Sequence, residues 1–481
     1  MPPNQSELES IVVDTIESDT ATTSTMNSVQ SMFQKSTKTA AKNATAASSE
    51  VTTHNQLRPL HCAAQNYAWG RLGSSSTVAL MKDAQAFQED NDQFSIDEEK
   101  PYAELWLGTH PNGMSTVTVK NDDGEETETS PENAGTKHSL LDYIQQDPLL
   151  HCGDAECQDI SYLLKVLSVR KVLSIQAHPD KSLAEELHSD RPTVYKDPNH
   201  KPEMAIALSE SVRAMIGFRP LSEIAKHLEE YPEFYAVIGE KTAADIQKAA
   251  NSTESTKVIL QQMFHGYLEQ PDEVIEKHVD AMVDRLREMD THDDLQKLIL
   301  QLEQQFPGDC GIFAPLMLNV SELKHGQGLY IGANEPHAYI SGEILECMAC
   351  SDNVVRAGLT PKLKDVPTLV NMLTYKSSEP DIQNGTAVDE YTTRYQPPVE
   401  DFCVEVIYVP AGGKYEVADV NSPSILLTLE GDAQLTQGEV CTMNISFGSA
   451  AFCSANTKCS IVAGPYGVRL TRAFSNVFLE K

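Results

Sequence analysis

Four polar side chains of this 481-residue sequence have the types and spacing of a metal site. Gln176 and His178 lie two residues apart in the segment Val-Leu-Ser-Ile-Gln-Ala-His-Pro. Side chains two apart on a strand project from the same face, so an amide oxygen and an imidazole would point at one ion. This pair supplies half of a metal site. We predict that Glu203 and His337 complete it from distant parts of the chain.

The local sequence indicates which element carries each predicted ligand. Pro179 ends strand pairing directly after His178. Glu203 follows a Lys-Pro pair, which predicts the first turn of a short helix or an extended bend. His337 follows a proline on a strand edge. Two imidazoles, a carboxylate and an amide suit zinc with one position open for water or substrate. The same set also suits non-haem iron in a cupin fold.

Composition excludes several classes of function. The net charge of -33 makes nucleic acid and anionic membranes poor partners. An anionic substrate would need a local basic cluster, because the overall field repels it. We find no apolar run of about 18 residues and no hydrophobic segment typical of a signal peptide. We therefore expect a cytoplasmic protein that binds no membrane, and we expect it to be a monomer.

The ten cysteines do not form a second predicted metal site. Most of them lie inside apolar runs, as is typical of small buried side chains in a reducing compartment. Cys347 and Cys350 form a lone C-x-x-C pair, and a structural zinc site would need two more ligands at matching spacing. We interpret this pair as core packing.

Periodicity divides the chain into four regions. The first 55 residues are polar, without a sustained apolar period, and are predicted to be disordered. Apolar residues at helical spacing, such as Ile275, Val279, Met282 and Leu286, predict a helical insertion. Acidic stretches at 83–99 and 122–132 are interpreted as surface insertions between strands. The predicted regions are a disordered extension (1–55), a catalytic cupin-like β-domain (56–216 plus 313–372), a helical domain (217–312) and a C-terminal β jelly roll (373–481).

Six segments in order resemble type I phosphomannose isomerases. They are Gln-Asn-Tyr-Ala-Trp-Gly (65–70), Glu-Leu-Trp-Leu-Gly-Thr-His-Pro (104–111), Leu-Ser-Ile-Gln-Ala-His-Pro-Asp-Lys (173–181), Asn-His-Lys-Pro-Glu-Met-Ala (199–205), Gly-Ala-Asn-Glu-Pro-His-Ala-Tyr (332–339) and Glu-Cys-Met-Ala-Cys-Ser-Asp-Asn-Val-Val-Arg-Ala-Gly-Leu-Thr (346–360). The N-terminal extension and the acidic stretches depart from the family pattern but leave these segments intact.

The resemblance implies both a fold and an activity. The fold is mainly β, with a cupin-like β-barrel or jelly-roll core, an α-helical domain and a second, C-terminal β-barrel domain. The activity is a zinc-dependent interconversion of D-mannose 6-phosphate and D-fructose 6-phosphate through a cis-enediol, feeding GDP-mannose synthesis, protein glycosylation and mannose catabolism. One zinc ion per chain would be bound at Gln176, His178, Glu203 and His337, and Arg356 would be catalytic.

The chemistry requires a base beside the metal, and four residues are candidates. Glu346 is the most conventional base. Lys201 lies two residues from a ligand, where burial and the metal's charge would lower its pKa. Arg356 normally stays protonated, so it would stabilise the enediolate or orient the substrate. Asp352 is the fourth candidate.

Substrate binding is assigned to hydroxyls and charges close to these motifs. Lys165 lies inside an apolar run, where an unpartnered ammonium would be costly, so we predict a functional role for it. Tyr339 shares a face with His337, although packing in the core would also explain it. Lys362 contacts phosphate or is a solvated loop charge. The predicted substrate-binding set is Ser174, Lys165, Tyr339, Asp352 and Lys362.

Two rival functions remain open at this point. One is a cupin iron oxygenase, whose ligands generally come from one barrel motif rather than from segments split by a helical insertion. The other is a non-catalytic sugar-phosphate binder that keeps a metal for structure.

Overall fold

Two large antiparallel sheets and a block of helices make up the structure, a computed structural model that describes residues 55–88, 94–119, 136–250 and 256–479. The predicted disordered extension lies outside the described residues except for Asn55, and the acidic stretch 122–132 lies outside them as well. The acidic stretch 83–99 lies between the strands Arg71–Leu72 and Pro101–Tyr102, as expected, and its first residues belong to helix α1 (Thr77–Gln88). None of the described helices has both the length and the apolar character needed to cross a membrane.

The first sheet carries the predicted metal ligands, and we call it the site sheet. Its main path runs in the order β2 (Ala63–Gln65), β5 (Glu104–Leu107), β8 (Tyr162–Val169), β14 (His337–Ala349), β10 (Glu203–Ala207), β13 (Gly328–Ile331) and β16 (Ile382–Gln383). Four more strands join β14 or one another: β9 (Ile175–Ala177), β11 (Ser211–Phe218), β12 (Leu318–Lys324) and β15 (Val355–Gly358). A separate pair consists of β3 (Arg71–Leu72) and β4 (Pro101–Tyr102). The long central strand β14 therefore links most of the segments that contain motifs.

An irregularity in β14 decides which of its side chains face the same way. Ser341 and Tyr339 of β14 lie opposite the adjacent residues Arg213 and Ala214 of β11, so β14 has one extra residue there, as in a β-bulge. The alternation of side chains shifts there by one residue, so Tyr339 and Glu346 line one cleft despite their odd spacing. Gly342 follows with a φ of 122°, and an added Cβ would lie 2.7 Å from a Val212 methyl carbon. Glycine is the residue that tolerates both the conformation and the close approach.

The helical insertion lies between β11 and β12, which confirms that part of the predicted fold. Its helices are α5 (Leu221–Glu230), α6 (Pro232–Ile238), α7 (Glu240–Ala249), α8 (Lys257–Leu268), α9 (Asp272–Arg287) and α10 (Asp294–Gln305). The four residues Ile275, Val279, Met282 and Leu286 are buried along one face of α9, as their spacing predicted. They share a core with Phe218 at the end of β11. The insertion is therefore packed onto the site sheet.

The second sheet contains the C-terminal strands, which confirms the predicted C-terminal β unit. These strands are β17 (Thr386–Ala387), β18 (Thr392–Tyr395), β19 (Cys403–Val409), β20 (Lys414–Val417), β21 (Ser424–Gln437), β22 (Cys441–Ser446), β23 (Ala450–Cys453) and β24 (Cys459–Phe474). Three N-terminal strands extend the same sheet: β1 (Leu57–His61), β6 (Thr116–Val119) and β7 (Thr136–Ser139). The predicted boundary at residue 373 therefore does not separate the two sheets. Strands β1, β6 and β7, which precede it, belong to the second sheet, and β16, which follows it, belongs to the site sheet. The domain limits themselves stay a prediction.

The two sheets share one hydrophobic core. Leu164 and Leu345 of the site sheet are buried in the same cluster as Phe452 and Leu427 of the second sheet. The hydroxyl of Tyr162 on β8 donates to the carbonyl of Ala473 on β24 at 2.9 Å. One face of the site sheet is thereby covered, which leaves the other face to form the site. The remaining helices are α2 (Leu140–Gln146), α3 (Pro148–Cys152), α4 (Lys181–Asp190) and α11 (Val366–Met372).

Candidate metal centre and substrate cleft

Three neighbouring strands bring the predicted ligands together. Gln176 on β9 pairs directly with His337 on β14, and His178 follows β9 by one residue. Glu203 is the first residue of β10, so of the two expected conformations the helical turn was wrong, and the backbone is extended. Strand pairing with β13 and β14 decides this, because Glu203 lies opposite Ile331 on one side and Met348 on the other. Ligand atoms of His178, Glu203 and His337 all lie within 4.8 Å of one another, and all three residues are buried.

The hydrogen bonds of the two histidines show that a cation fits this centre. Nδ1 of His178 lies 2.6 Å from the carbonyl of Asn353, and Nδ1 of His337 lies 3.0 Å from the carbonyl of Glu335. A carbonyl only accepts, so each Nδ1 is the donor, and Nε2 is the ring nitrogen left to bind an ion. Those Nε2 atoms lie 3.3 and 3.4 Å from the two carboxylate oxygens of Glu203. Two ring nitrogens and a carboxylate therefore converge, which is a donor set that zinc accepts.

Burial and charge keep the centre in the protonation states that a metal requires. Burial, reinforced by the nearby Lys201 ammonium, lowers the pKa of His178 to about 4, so the ring is neutral at pH 7. Burial also acts to raise the pKa of Glu203, but nearby positive charge, chiefly the Lys201 ammonium, holds it well below its ordinary value. Among the described residues Nε2 of His178 has no hydrogen-bond partner, although it is buried, and this is costly unless an ion binds there.

Gln176 supplies a fourth donor. Its amide group lies 3.5 Å from Nε2 of His337. The oxygen and nitrogen of an amide are assigned from the surrounding hydrogen bonds. A rotated amide would point its oxygen at the same space, because the two atoms exchange positions. Gln176 therefore adjoins the cluster of His178, Glu203 and His337, and the role of all four as ligands stays a prediction.

A row of side chains crosses the site sheet beside this centre. Trp106, Lys165 and Glu346 occupy directly paired positions on β5, β8 and β14. Nζ of Lys165 lies 3.3 Å from a carboxylate oxygen of Glu346, 3.3 Å from one of Glu104, and 5.0 Å from the centre of the Trp106 ring. The predicted burial of Lys165 is thus balanced by two carboxylates. Its ammonium group is held in place by protein charges.

The pKa values of Lys165 and Glu346 in this row are both raised. Burial acts to lower the pKa of Lys165, but the charges of Glu104 and Glu346 raise it above its ordinary value. Burial and the nearby charge of Glu203 raise the pKa of Glu346, against the lowering effect of the Lys165 ammonium. A carboxylate with a raised pKa is a better proton acceptor than an ordinary one. Glu346 therefore has the properties of a general base.

The other predicted site residues line the same cleft, whose volume is about 550 Å³. Nζ of Lys201 lies 3.3 Å from a Glu203 oxygen, and the Tyr339 hydroxyl lies 3.5 Å from the other. Asp352 accepts from Nε2 of the buried His110 at 3.1 Å. Its pKa is lowered, chiefly by this hydrogen bond. Arg356 pairs across the strands with Gln176, and the structure also places Ser174 and Lys362 along the cleft.

Among the described residues, four titratable side chains that line the cleft were not predicted from the sequence: Tyr67, Glu104, His110 and Lys171. Glu104 carried a usable signal, because an acidic residue two before Trp106 in an apolar strand shares the face of that tryptophan. Lys171 carried none, since it lies in the irregular segment between β8 and β9. The surroundings of Glu104 and Lys171 are formed by side chains far away in sequence, which the sequence alone does not identify.

Fold and site together define an enzyme of antiparallel sheets with a helical insertion and a buried His–Glu–His centre in a cleft lined by cations. Three family models match the chain: the type I phosphomannose isomerase catalytic domain at 57–221, its helical insertion domain at 237–318 and its C-terminal region at 395–439. The chain belongs to the type I phosphomannose isomerase family. It is therefore an aldose–ketose isomerase.

Curated relatives carry the same name over most of the chain. The mouse mannose-6-phosphate isomerase is 40% identical over 78% of this chain and 87% of its own length. The human enzyme is 39% identical, covering 84% of this chain and 94% of its own length. Mannose-6-phosphate isomerase 2 of Arabidopsis thaliana is 37% identical over 88% and 95% respectively.

Solved structures agree in fold. A zinc-bound mannose 6-phosphate isomerase has a TM-score of 0.72 at 28% identity, covering 88% of this chain and all of that one. A variant of the Salmonella typhimurium phosphomannose isomerase gives the same TM-score, identity and coverage. These similarities extend across both sheets and the helical insertion.

Proposed function

We propose that this enzyme interconverts D-mannose 6-phosphate and D-fructose 6-phosphate, with one zinc ion bound by Gln176, His178, Glu203 and His337. The observation that carries the proposal is the convergence of two imidazole Nε2 atoms on the Glu203 carboxylate, each ring donating from Nδ1 to a backbone carbonyl. The name of the zinc-bound structural relative supports the choice of metal. Zinc also suits an isomerisation because it has no redox chemistry.

The reaction moves a proton between C1 and C2 of the open-chain sugar, and we infer a cis-enediol between the two sugars. Negative charge develops on the substrate oxygen during this transfer. When bound, the zinc ion supplies positive charge that stabilises such an oxygen by several kcal/mol. The proton itself must be carried by a side chain on one face of the sugar.

We assign the proton transfer to Glu346. Its side chain is 3% exposed, lines the cleft and has a raised pKa. Lys165 and the row across the sheet hold its carboxylate in one orientation. Lys201 has Glu203 as a carboxylate partner, so its ammonium group suits hydrogen-bond donation to a substrate oxygen better than proton abstraction. Asp352 lies against His110 and is assigned to substrate hydroxyls.

We assign charge stabilisation and orientation of the sugar to Arg356. Its side chain is partly buried, and burial alone lowers its pKa from the ordinary value. Among the described residues no carboxylate pairs with the Arg356 guanidinium, which lies beside the proposed ligand Gln176 and suits a developing enediolate. Ser174, Tyr339 and Lys362 line the cleft on either side and are assigned to substrate hydroxyls and phosphate. Lys165 is reassigned from phosphate binding to positioning Glu346, because two carboxylates already neutralise it.

A coupled isomerase assay on chelated protein, with single metals added back, tests this proposal. We expect zinc to restore activity, His337→Ala to lose both zinc and activity, and Arg356→Ala to lose activity while retaining zinc. Glu346→Gln should bind zinc but fail to exchange the C2 proton with deuterated solvent. The exposed His265→Ala on α8 is the control for replacing a histidine. Full turnover by His337→Ala would refute the ligand assignment.

The same experiments separate the rival functions. An iron oxygenase would consume oxygen and be restored by iron, and a non-catalytic binder would bind sugar phosphate without incorporating deuterium. Family membership favours the isomerase over both. The roles in GDP-mannose synthesis, protein glycosylation and mannose catabolism, the monomeric state and the cytoplasmic location stay predictions from the sequence.

A further inference from the structure

The cleft has an outer end that two antiparallel segments reach together. Gln176 pairs with Arg356, and Ile175 pairs with Gly358. Because β9 and β15 are antiparallel, the chain before Gln176 and the chain after Arg356 leave the metal centre in the same direction. Lys171 lies on the first segment and Lys362 on the second, and both line the cleft.

The helical insertion holds Lys171 at this end. Its Nζ lies 4.2 Å from the centre of the Phe306 ring, which follows directly after α10. The Gln305 side chain accepts from the backbone nitrogen of Val172 at 2.9 Å, and the backbone nitrogen of Lys171 donates to the carbonyl of Trp69 at 3.0 Å. The backbone and the ammonium group of Lys171 are therefore both fixed by contacts from outside its own segment.

The charge of Lys171 has no acidic partner among the described residues. The Lys171 ammonium contacts the Phe306 ring, and a cation–π contact does not neutralise its charge. Surface lysines of a chain with a net charge of -33 have many carboxylates to pair with. An unpaired, half-buried ammonium in the same cleft as Arg356 and Lys362 is instead available to an anionic ligand.

The position of Lys171 in the chain limits its distance from the metal centre. Lys171 lies five positions before the predicted ligand Gln176, and an extended chain of that length spans at most about 17 Å. The phosphate of a hexose 6-phosphate lies at the far end of the molecule from C1 and C2. A sugar whose reacting carbons are at the metal centre therefore directs its phosphate along the two segments toward the outer end.

We propose that Lys171 contacts the phosphate of the substrate, that Phe306 positions it, and that this pair selects phosphorylated over unphosphorylated sugars. The proposal rests on the proposed isomerase function and assigns to the helical insertion a direct part in substrate recognition. The ligand chemistry is a phosphate monoester dianion. Phe306 acts through Lys171 and is a positioning residue.

Steady-state kinetics of Lys171→Met tests the contact. Methionine keeps the apolar stem and removes the charge. We expect KM for mannose 6-phosphate to rise about tenfold, as for loss of a charged hydrogen bond, with kcat within about twofold of the wild-type value. Lys171→Arg should restore KM to within about threefold. Lys226→Met, an exposed lysine of α5, is the control for loss of one positive charge. An unchanged KM for Lys171→Met would overturn the proposal.

A double-mutant cycle tests the positioning role. Phe306→Leu should raise KM about threefold in the wild-type background, the size of a modest cation–π contact, and should have no further effect in Lys171→Met. Equal effects in both backgrounds would show that Phe306 acts independently of the lysine and would overturn its role. A loss of kcat and zinc together would assign both residues to the fold instead of to phosphate.

Calorimetry with inorganic phosphate separates this inference from the isomerase assignment. Zinc-loaded wild-type protein should bind phosphate more tightly than Lys171→Met by about tenfold, whether or not it turns over sugars. Equal phosphate affinities would refute the inference while leaving the isomerase function untouched. Inactive wild-type protein that still shows the tenfold difference would refute the isomerase function alone.

Discussion

Nε2 of His178 lies 3.3 Å from a carboxylate oxygen of Glu203, although the His178 proton is on the opposite nitrogen, where it is donated to the carbonyl of Asn353. A lone pair thus faces a negative charge inside a buried centre. A cation bound between these two groups would relieve their repulsion and stabilise the folded chain. Metal binding and stability are therefore linked in this protein.

Zinc should stabilise the folded chain as well as activate it. A ligand that binds only the native state raises the free energy of unfolding logarithmically with its free concentration, by about 2.7 kcal/mol at one hundred times the dissociation constant. We expect the thermal midpoint to rise with buffered zinc and to fall on chelation. His337→Ala should lose this dependence. A wild-type midpoint that is independent of zinc would contradict the site.

Asn353→Ala should weaken zinc binding without removing a ligand. The Asn353 side chain donates to the carbonyls of Asp197 and Asn199 at 2.6 and 2.9 Å, which fixes the loop whose carbonyl orients His178. Loss of such outer support typically costs about 10- to 100-fold in metal affinity. Competition with a chromophoric chelator measures it. Asn444→Ala on β22 is the exposed control, and equal affinity in the two variants would show that the loop does not orient the ring.

Lys165→Met should destabilise the protein and slow catalysis. The substitution leaves two buried carboxylates, those of Glu104 and Glu346, without their shared cation. Breaking a buried ion pair on one side costs about 3–5 kcal/mol. We expect that loss in urea unfolding, together with a lower kcat because Glu346 is no longer held. Adding Glu104→Gln should recover part of the stability. If the double variant is no more stable than Lys165→Met alone, the carboxylates of Glu104 and Glu346 do not repel each other in the single variant.

Stability should fall with acid because of His151. This ring is 3% exposed, packs against Tyr143 and Phe452, and hydrogen-bonds to the Ser454 hydroxyl. Burial lowers its pKa to about 4, whereas the unfolded chain takes up the proton near the ordinary value of about 6.5. The unfolded state therefore binds more protons in this window. The contribution of His151 to the free energy of unfolding is complete above about pH 6.5 and is lost progressively as the pH falls toward about 4.

His151→Phe should flatten this pH dependence. It removes the titrating group while keeping an aromatic ring beside Tyr143 and Phe452. We expect the slope of unfolding free energy against pH to fall by up to about 1.4 kcal/mol per unit between those limits. Urea unfolding at a series of pH values, with zinc held constant, measures the difference. The exposed His265→Ala should leave the slope unchanged, and equal slopes for His151→Phe and wild type would exclude His151 as the source.

The sequence by itself determined the features that depend on local period and local motif. The spacing of Ile275, Val279, Met282 and Leu286 predicted a helix whose face is buried, because a helix repeats every 3.6 residues whatever it packs against. Gln176 and His178 were recognisable as a pair because two residues on one strand share a face. The ordered motifs also indicated the family, and the family models match it.

Only the tertiary structure decided which distant strands lie side by side. Glu203 was expected in the first turn of a short helix or in an extended bend, but pairing on both sides of β10 makes it a strand residue. The row from Trp106 through Lys165 to Glu346 depends on registers between strands far apart in sequence, and the irregularity near Ser341 shifts which face β14 presents. Register is set by non-local pairing and packing, which no local period encodes. The partners that perturb Lys165 and Glu346 therefore emerge only when the sheet is assembled.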